Sequence, residues 1–172
     1  TGDMGGVRSS GRGLRRAEIT GGGPRHRSRT AEELTFKAFN RRFKPNRTPL
    51  YWLSRDAAEV DRYIDDPRCG FLASSTLWAD LLAYGARLRE PARLARIPKT
   101  LPILILAGTD DAASKGVKGP MALEKAYAKA GISDLSLKLY EGARHELLND
   151  TCREQVTADV VEWMQRRIPS AA

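Results

Sequence analysis

One segment of this chain constrains its fold more than any other, namely the apolar run Leu101–Ala107. The run is short and continuously hydrophobic, and it is bounded by Thr100 and Gly108. This pattern is typical of a strand that is buried on both faces, as in a parallel sheet covered by helices. It predicts a fold of the α/β class, and 172 residues with 41% hydrophobic content allow one modest core.

The residues after this run complete a strand–helix–strand unit. A helix is expected from about Pro120, which suits a first helical turn, to Ala130, where Gly131 can end it. Residues 134–140 alternate between leucine and polar side chains, which predicts a second strand with one wetter face. A last helix follows, with Thr151 as its expected cap. A crossover of this kind brings the two strands together in parallel.

The region before the first strand has a helical pattern. Thr30 and Asp56 are expected to cap two helices, and a third helix is predicted over Ser75–Arg89. Short helices joined by proline-containing loops predict a small helical subdomain, the cap, over residues 30–98. Residues 99–172 then form the second unit, which contains the strands.

The net charge of +8 belongs to the first part of the chain. Residues 1–50 hold 12 Lys/Arg and 4 Asp/Glu, whereas residues 51–172 hold 17 of each sign. Many glycines and arginines in residues 1–29 predict a flexible basic segment. Basic surfaces can bind nucleic acid through counterion release, but this segment has no interleaved aromatic side chains and no nucleic-acid motif. No nucleic-acid partner is therefore expected.

Other site types find little support in the sequence. Cys69 and Cys152 share no metal-ligand spacing and are expected to be reduced thiols of a cytoplasmic protein. Since the chain has two histidines, His26 and His145, which lie far apart, no metal site is expected, and no cofactor is expected either. No apolar run approaches the roughly 20 residues of a membrane-spanning helix, so no transmembrane segment is expected.

Two loops reach the carboxyl end of the predicted sheet, where open α/β sheets bind their ligands. One loop begins with Thr109-Asp110-Asp111, and the other contains His145. A carboxylate bonded to one imidazole nitrogen orients the ring, so that the other nitrogen can take a proton from a hydroxyl. The pair is a candidate catalytic acid and base. The residues alone are also compatible with aspartates that cap a turn and a histidine on a surface loop.

Two motifs flank these loops. Gly108–Asp111 follow the apolar strand as Gly-small-x-Asp, and Tyr140–His145 close the next strand as Tyr-x-Gly-x-x-His. In both motifs, residues 101–168 resemble the C-terminal section of α/β-hydrolases of the monoacylglycerol lipase, lysophospholipase and serine aminopeptidase-like group. Bacterial members of this group carry a helical cap before these strands, and residues 34–43 and 51–56 are similar to that cap.

The resemblance implies a partial α/β-hydrolase fold, in which a helical cap, or lid, precedes the last two parallel strands and their helices. It implies that Asp111 and His145 are the acid and base of a Ser-His-Asp triad that hydrolyses carboxylic esters through an acyl-enzyme, with Asp110 as the alternative acid. No serine of the chain lies in Gly-x-Ser-x-Gly. We therefore expect the nucleophile and oxyanion hole upstream of Thr1, and an inactive chain on its own.

The same resemblance implies a lipid-like or other small ester substrate, such as a monoacylglycerol or a lysophospholipid, and transient contact with a membrane surface. Aromatic side chains of the cap are candidates for lining an acyl-chain site, although each of them is also compatible with ordinary cap core: Phe36, Phe39, Trp52, Phe71 and Trp78. Two other classes of function stay open. One is a non-catalytic scaffold with a hydrolase fold, and the other is a module that binds nucleic acid or an anionic surface through residues 7–47.

Overall fold

The computed structural model of the chain describes residues 23, 25–27, 33–88 and 90–168. The predicted flexible segment 1–29 lies largely outside the described residues, and so does Thr30, the expected cap of the first helix. The division into a cap over 30–98 and a second unit over 99–172 stays a prediction.

The described part of the cap begins with a helical segment that changes its winding. A π-helical turn over Glu33–Lys37 continues into α1 (Ala38–Asn40) and then into a 3₁₀ turn over Arg41–Phe43. Asn40 is buried and fixes the loop that follows. Its side-chain NH₂ donates to the Thr48 carbonyl at 2.8 Å, and its side-chain oxygen accepts from the Trp52 N–H at 3.0 Å.

Three further helices follow, α2 (Ala57–Asp65), α3 (Ser75–Arg87) and α4 (Pro91–Leu94). The prediction that Asp56 caps α2 is confirmed, because its carboxylate accepts from the N–H groups of the first helical turn, including Ala58 at 2.9 Å. These N–H groups have no partner within the helix, so a side-chain oxygen there stabilises the helix start. Ser74 caps α3 in the same way.

The predicted strand–helix–strand unit is confirmed. It consists of β1 (Ile103–Gly108), α5 (Lys118–Lys129) and β2 (Leu135–Tyr140). The two strands pair in parallel with Ile103 opposite Leu135 and Gly108 opposite Tyr140. Gly131 ends the helix as predicted. It has a φ of +88°, a conformation that favours glycine, and its N–H donates to the Ala128 carbonyl at 2.9 Å.

A 3₁₀ turn over Leu147–Asn149 leads into the last helix, α6 (Arg153–Gln165). This helix covers one face of the sheet through a small buried cluster of Tyr140, Ala143 and Val156. Burial of the Val156 side chain contributes roughly 1.5–3 kcal/mol relative to exposure. The cluster thereby fixes the loop after β2 against α6.

One local prediction about this region was wrong. Thr151 does not cap α6, which begins two residues later, because the Thr151 N–H and hydroxyl both donate to the Asp150 carboxylate. The wetter face predicted for β2 is covered in part. The Lys138 side chain is 44% exposed, but its ammonium pairs with Asp159 of α6, and the Tyr140 hydroxyl donates to the same carboxylate at 2.9 Å.

The architecture is therefore a partial α/β fold, in which helices precede a two-stranded parallel sheet that carries helices of its own. None of the described helices is both long and apolar enough to cross a bilayer.

Candidate active site

The two loops predicted to meet do so at the carboxyl ends of β1 and β2. The Thr109 N–H donates to the Tyr140 carbonyl, and the Asp110 N–H donates to the Ala143 carbonyl, each at 3.0 Å. Gly108 makes this approach possible, because a Cβ atom there would lie 2.0 Å from the Ala143 carbonyl oxygen. The pairing of the strands thus continues into the loops and holds them in a fixed relation.

Asp111 is buried near the start of the loop after β1 and is directed at the loop after β2. Its Oδ1 lies 3.1 Å from His145 Nδ1 and also accepts from the Ala113 N–H at 2.9 Å. Its carbonyl accepts from the Gly116 N–H at 2.7 Å. These bonds hold both the backbone and the carboxylate, so that the side chain has a defined direction.

Asp110, the alternative acid, points elsewhere. Its Oδ1 accepts from the Arg42 guanidinium at 2.6 Å, and both side chains of this ion pair are largely exposed. The structure therefore brings Asp111, and not its neighbour, to His145. Successive side chains of the turn leave it in different directions, which separates the two carboxylates.

The contact between the carboxylate and the imidazole changes the titration of both groups. The hydrogen bond to Asp111 raises the pKa of His145 above its ordinary value, and the charges of Asp111 and Glu146 act in the same direction. Burial lowers this pKa but does not cancel these effects. Burial alone would raise the pKa of Asp111, but the hydrogen bond and the charge of His145 lower it overall. Each group thus stabilises the charged form of the other.

The imidazole is accessible as well as oriented. The His145 side chain is 43% exposed, and among the described residues its Nε2 has no hydrogen-bond partner. The Trp52 ring packs against it with 5.0 Å between ring centroids. A ring held through Nδ1 with a free Nε2 is in the state that a general base requires.

His145 lies in the wall of a cavity of about 500 Å³. This volume is within the range of small-molecule sites, roughly 300–1,000 Å³. Most of the lining is apolar and comes from the cap, with Phe36, Leu50, Trp52, Leu53 and Ile64 among the lining residues. The imidazole therefore lies at the edge of a mostly apolar space, whose lining also includes the charged side chains of Lys37 and Glu146.

The five aromatic candidates of the cap occupy different places. Phe36 and Trp52 line the cavity and stack on each other with 5.5 Å between ring centroids. Phe39 and Trp78 do not line it but pack behind these two rings, at 5.1 Å from Trp52 and 5.6 Å from Phe36. Phe71 is 63% exposed and lies outside the lining.

Several lining residues were not identified from the sequence. Leu50 and Leu53 lie in a loop without hydrophobic periodicity, so no pattern marks them. Ile64 belongs to an apolar stripe of α2 with Ala57 and Val60, and this helical spacing is the signal by which the sequence could have marked it. The two free cysteines are partly buried, and within the described ranges no group of His, Cys, Asp or Glu side chains is arranged to hold a metal ion.

Comparison with known families gives one match that covers most of the chain. The family model described as serine aminopeptidase, S33, matches residues 20–152. A caffeoylshikimate esterase of Arabidopsis thaliana is 35% identical over 115 residues, which are 65% of this chain and 30% of that protein.

Several solved structures superimpose on this chain. A thermostable carboxyl esterase of Bacillus coagulans superimposes with a TM-score of 0.80 at 21% identity, over 91% of this chain and 51% of that one, which shows a shared fold. A soluble variant of the monoglyceride lipase of Saccharomyces cerevisiae has a TM-score of 0.59 at 25% identity, over 68% of this chain and 41% of that one. The chain thus spans about half the length of the esterase structure, and less of the other two relatives.

Proposed function

Because this chain belongs to the serine aminopeptidase (S33) family of α/β-hydrolases, as its resemblance predicted, we propose that it forms part of a serine hydrolase for carboxylic esters. In this proposal His145 is the general base, Asp111 orients it, and a serine outside these 172 residues is the nucleophile. The observation that carries the proposal is the contact between Asp111 and His145 at the wall of a hydrophobic cavity.

The proposed reaction proceeds in two steps. His145 Nε2 takes the proton of the serine hydroxyl as its oxygen attacks the ester carbonyl carbon, and then gives the proton to the alcohol oxygen as the C–O bond breaks. Water then attacks the acyl-enzyme, with the same imidazole accepting a proton from the water and returning it to the serine. The Asp111 carboxylate stays ionised throughout and stabilises the imidazolium that forms in each step.

The cavity supports an ester with an apolar acyl group as the substrate. Its lining by Phe36, Trp52 and aliphatic side chains suits a hydrocarbon chain, whose burial contributes about 0.8 kcal/mol per methylene. The printed names of the relatives include an esterase and a monoglyceride lipase, which favours a monoacylglycerol, a lysophospholipid or a similar small ester.

We also propose that the cap touches a lipid surface for a short time during substrate uptake. The helix α3 and the residue after it expose several large apolar side chains to solvent, and Trp78 of the same helix packs on Phe36 in the cavity wall. An exposed apolar patch of this kind is characteristic of an interaction site. Its members share one side of the helix by their spacing of three and four residues, and they are Leu77, Leu81, Tyr84 and Leu88.

A fluorophosphonate probe tests the proposed hydrolase. The protein to be labelled joins these 172 residues to the upstream segment with the family's Gly-x-Ser-x-Gly motif. We expect labelling of the wild-type protein and its loss in His145→Ala, with Asp61→Asn, an exposed residue of α2 far from His145 in the chain, as a control that keeps it.

Two results would contradict the proposal. If the longer protein is folded but not labelled, the chain is better explained as a scaffold that keeps the hydrolase fold without its chemistry. If the 172 residues are labelled on their own, the nucleophile lies within them and its assignment to the upstream segment is wrong.

A further inference from the structure

One segment of the cap is bonded to the loop of His145 along its whole length. We call Tyr51–Arg55 the cap strap and residues 141–150 the histidine loop. The two segments are about 90 positions apart in the chain, yet they exchange hydrogen bonds in both directions. Trp52, whose ring packs against His145, is itself part of the strap.

The strap holds both neighbours of His145. On one side, the Glu146 N–H donates to the Leu53 carbonyl at 2.9 Å. On the other side, the buried Arg144 guanidinium donates to the carbonyls of Tyr51 and Ser54, at 2.8 Å for the latter. The same guanidinium stacks 4.0 Å from the centroid of the Tyr51 ring. The backbone before and after His145 is therefore attached to the cap.

Asp150 fastens the two segments at the end of the loop. Its carboxylate is 0% exposed and accepts from both the Nε–H and the backbone N–H of Arg55, at 2.6 and 3.1 Å. It also accepts from the Arg144 N–H at 3.2 Å and from the Thr151 N–H and hydroxyl. The carboxylate thus receives five donors, which together satisfy about as many acceptor positions as an ionised carboxylate offers.

The ion pair between Arg55 and Asp150 is mostly buried and therefore differs from a surface ion pair. Burial alone would raise the pKa of Asp150, but the hydrogen bonds from Arg55 and Arg144 and the charge of Arg55 lower it overall. The Arg55 guanidinium extends the link, because its Nη1 donates to the Glu141 carbonyl at 3.2 Å. Removal of one partner from such a pair leaves an uncompensated buried group, which is strongly unfavourable.

We propose that Arg55 and Asp150 are positioning residues that keep His145 against Asp111 by tying the histidine loop to the cap strap. Within the described residues the imidazole makes one side-chain hydrogen bond, so its direction depends on its backbone and on the packing of Trp52. Both of these are set by the strap. The inference rests on the proposed function only for its expected effect on kcat. The strap can hold the imidazole in place whether or not the protein hydrolyses an ester.

The spectroscopic test uses the full chain with His26→Asn, which leaves His145 as the one histidine. In Arg55→Gln we expect the hydrogen-bonded Nδ1 proton resonance of His145 to broaden or disappear, and its pKa to move down towards the ordinary histidine value. Arg55→Lys should give an intermediate result, because it keeps the charge and the backbone bond but not the planar Nε–H and Nη–H donors. Asp61→Asn, which breaks the exposed pair with Arg47, should leave both signals unchanged.

The kinetic test uses the longer protein with its nucleophile. A displacement of a catalytic group by about 1 Å can lower the rate by about 10²-fold, so Arg55→Gln should lower kcat by about 10-fold to 100-fold with a smaller change in KM. A folded Arg55→Gln with wild-type His145 signals and wild-type kcat would overturn the inference.

A milder variant decides the matter if Arg55→Gln does not fold. Ser54 donates to the Asn149 carbonyl at 2.7 Å and accepts from the Asp56 N–H at 2.9 Å. Ser54→Ala removes the bond between strap and loop together with this one local bond, with little change of volume. A shift of the His145 signals in the same direction but of smaller size is expected, and unchanged signals would overturn the inference. If Arg55→Gln shifts these signals while the longer protein hydrolyses no ester, the proposed function fails and the positioning role stands.

Discussion

Asp111 Oδ1 lies 3.1 Å from His145 Nδ1, although 34 positions of the chain separate the two residues. The parallel register, in which Gly108 pairs with Tyr140, brings the two loops out at the same level of the sheet. The hydrogen bonds that follow Gly108 then carry the loops into direct contact. The level at which the two loops leave the sheet is thus set by the strands, and the cap adds the strap that holds the histidine loop and the apolar space beside it.

The first prediction separates the two adjacent aspartates. Asp111→Asn should lower kcat for a p-nitrophenyl ester by as much as about 10⁴-fold in the longer protein, because an amide cannot hold the imidazole in the tautomer that leaves Nε2 free to accept a proton. Asp110→Asn removes only a largely exposed ion pair with Arg42 and should change kcat less than about threefold. Equal losses in the two variants would contradict the role given to Asp111.

The second prediction concerns the pH dependence of stability. Since the folded-state pKa of His145 is raised, its contribution is complete below the unfolded value of about 6.5 and is lost as the pH rises through the folded value. Since the pKa of Asp111 is lowered, its contribution is present above about 3.9 and is lost as the pH falls through its folded value. The free energy of unfolding should therefore differ most between wild type and His145→Gln from about pH 4 to pH 6.5. Urea denaturation at a series of pH values measures this difference, and a difference that does not change with pH would count against the pairing.

The third prediction tests the close approach of the two loops. Gly108→Ala would place a Cβ atom 2.0 Å from the Ala143 carbonyl oxygen, so the loops must separate, at a cost of about 1–3 kcal/mol or more. Gly85→Ala is the matched control, because a Cβ there meets nothing within 4 Å and the residue lies inside α3. It should stabilise the chain by roughly 0.5–1 kcal/mol. Denaturant midpoints compare the two variants, and a neutral Gly108→Ala would show that the loops are not held as described.

The fourth prediction concerns the acyl-chain site. Ile64 lies in the cavity lining and is partly exposed, so Ile64→Trp can fill the cavity without disturbing the buried core. We expect kcat/KM for a long-chain ester to fall by about 10-fold or more relative to that for an acetyl ester. Val161→Trp, an equally large change at an equally exposed residue of α6 outside the cavity lining, should leave this ratio unchanged. Loss of activity on both esters alike would point to a general disturbance and not to chain-length selection.

The fifth prediction concerns the exposed face of α3. Leu81→Glu should weaken sedimentation with vesicles of neutral phospholipid, because it removes apolar surface and adds a charge that opposes insertion. Ala83→Glu on the same helix adds the same charge without removing a leucine and should have a smaller effect. Equal binding of wild type and both variants would exclude this face as the contact surface.

The sequence was informative at most positions where short-range rules decide the structure, although Thr151 does not cap α6 as predicted. Helix caps and ends depend on a few neighbouring residues, so Asp56 and Gly131 were identified correctly. The partner that covers part of the predicted wetter face of β2 could not be predicted, because it comes from a distant helix. Lys138 finds Asp159 of α6 there, and an alternating pattern contains no information about such a partner.

The sequence by itself determined that a strand, a helix and a second strand deliver a carboxylate and an imidazole to one edge of a parallel sheet. Hydrophobic periodicity and turn residues act over a few positions, and they suffice for this result. Only the tertiary structure decided that Asp111 and not Asp110 meets His145, and that Phe36 and Trp52 but not Phe71 line the cavity. It also revealed the ion pair between Arg55 and Asp150, which lie 95 positions apart in the chain. These choices depend on how the cap packs against the loops, because the direction of a side chain becomes fixed only when distant segments bury and bond it.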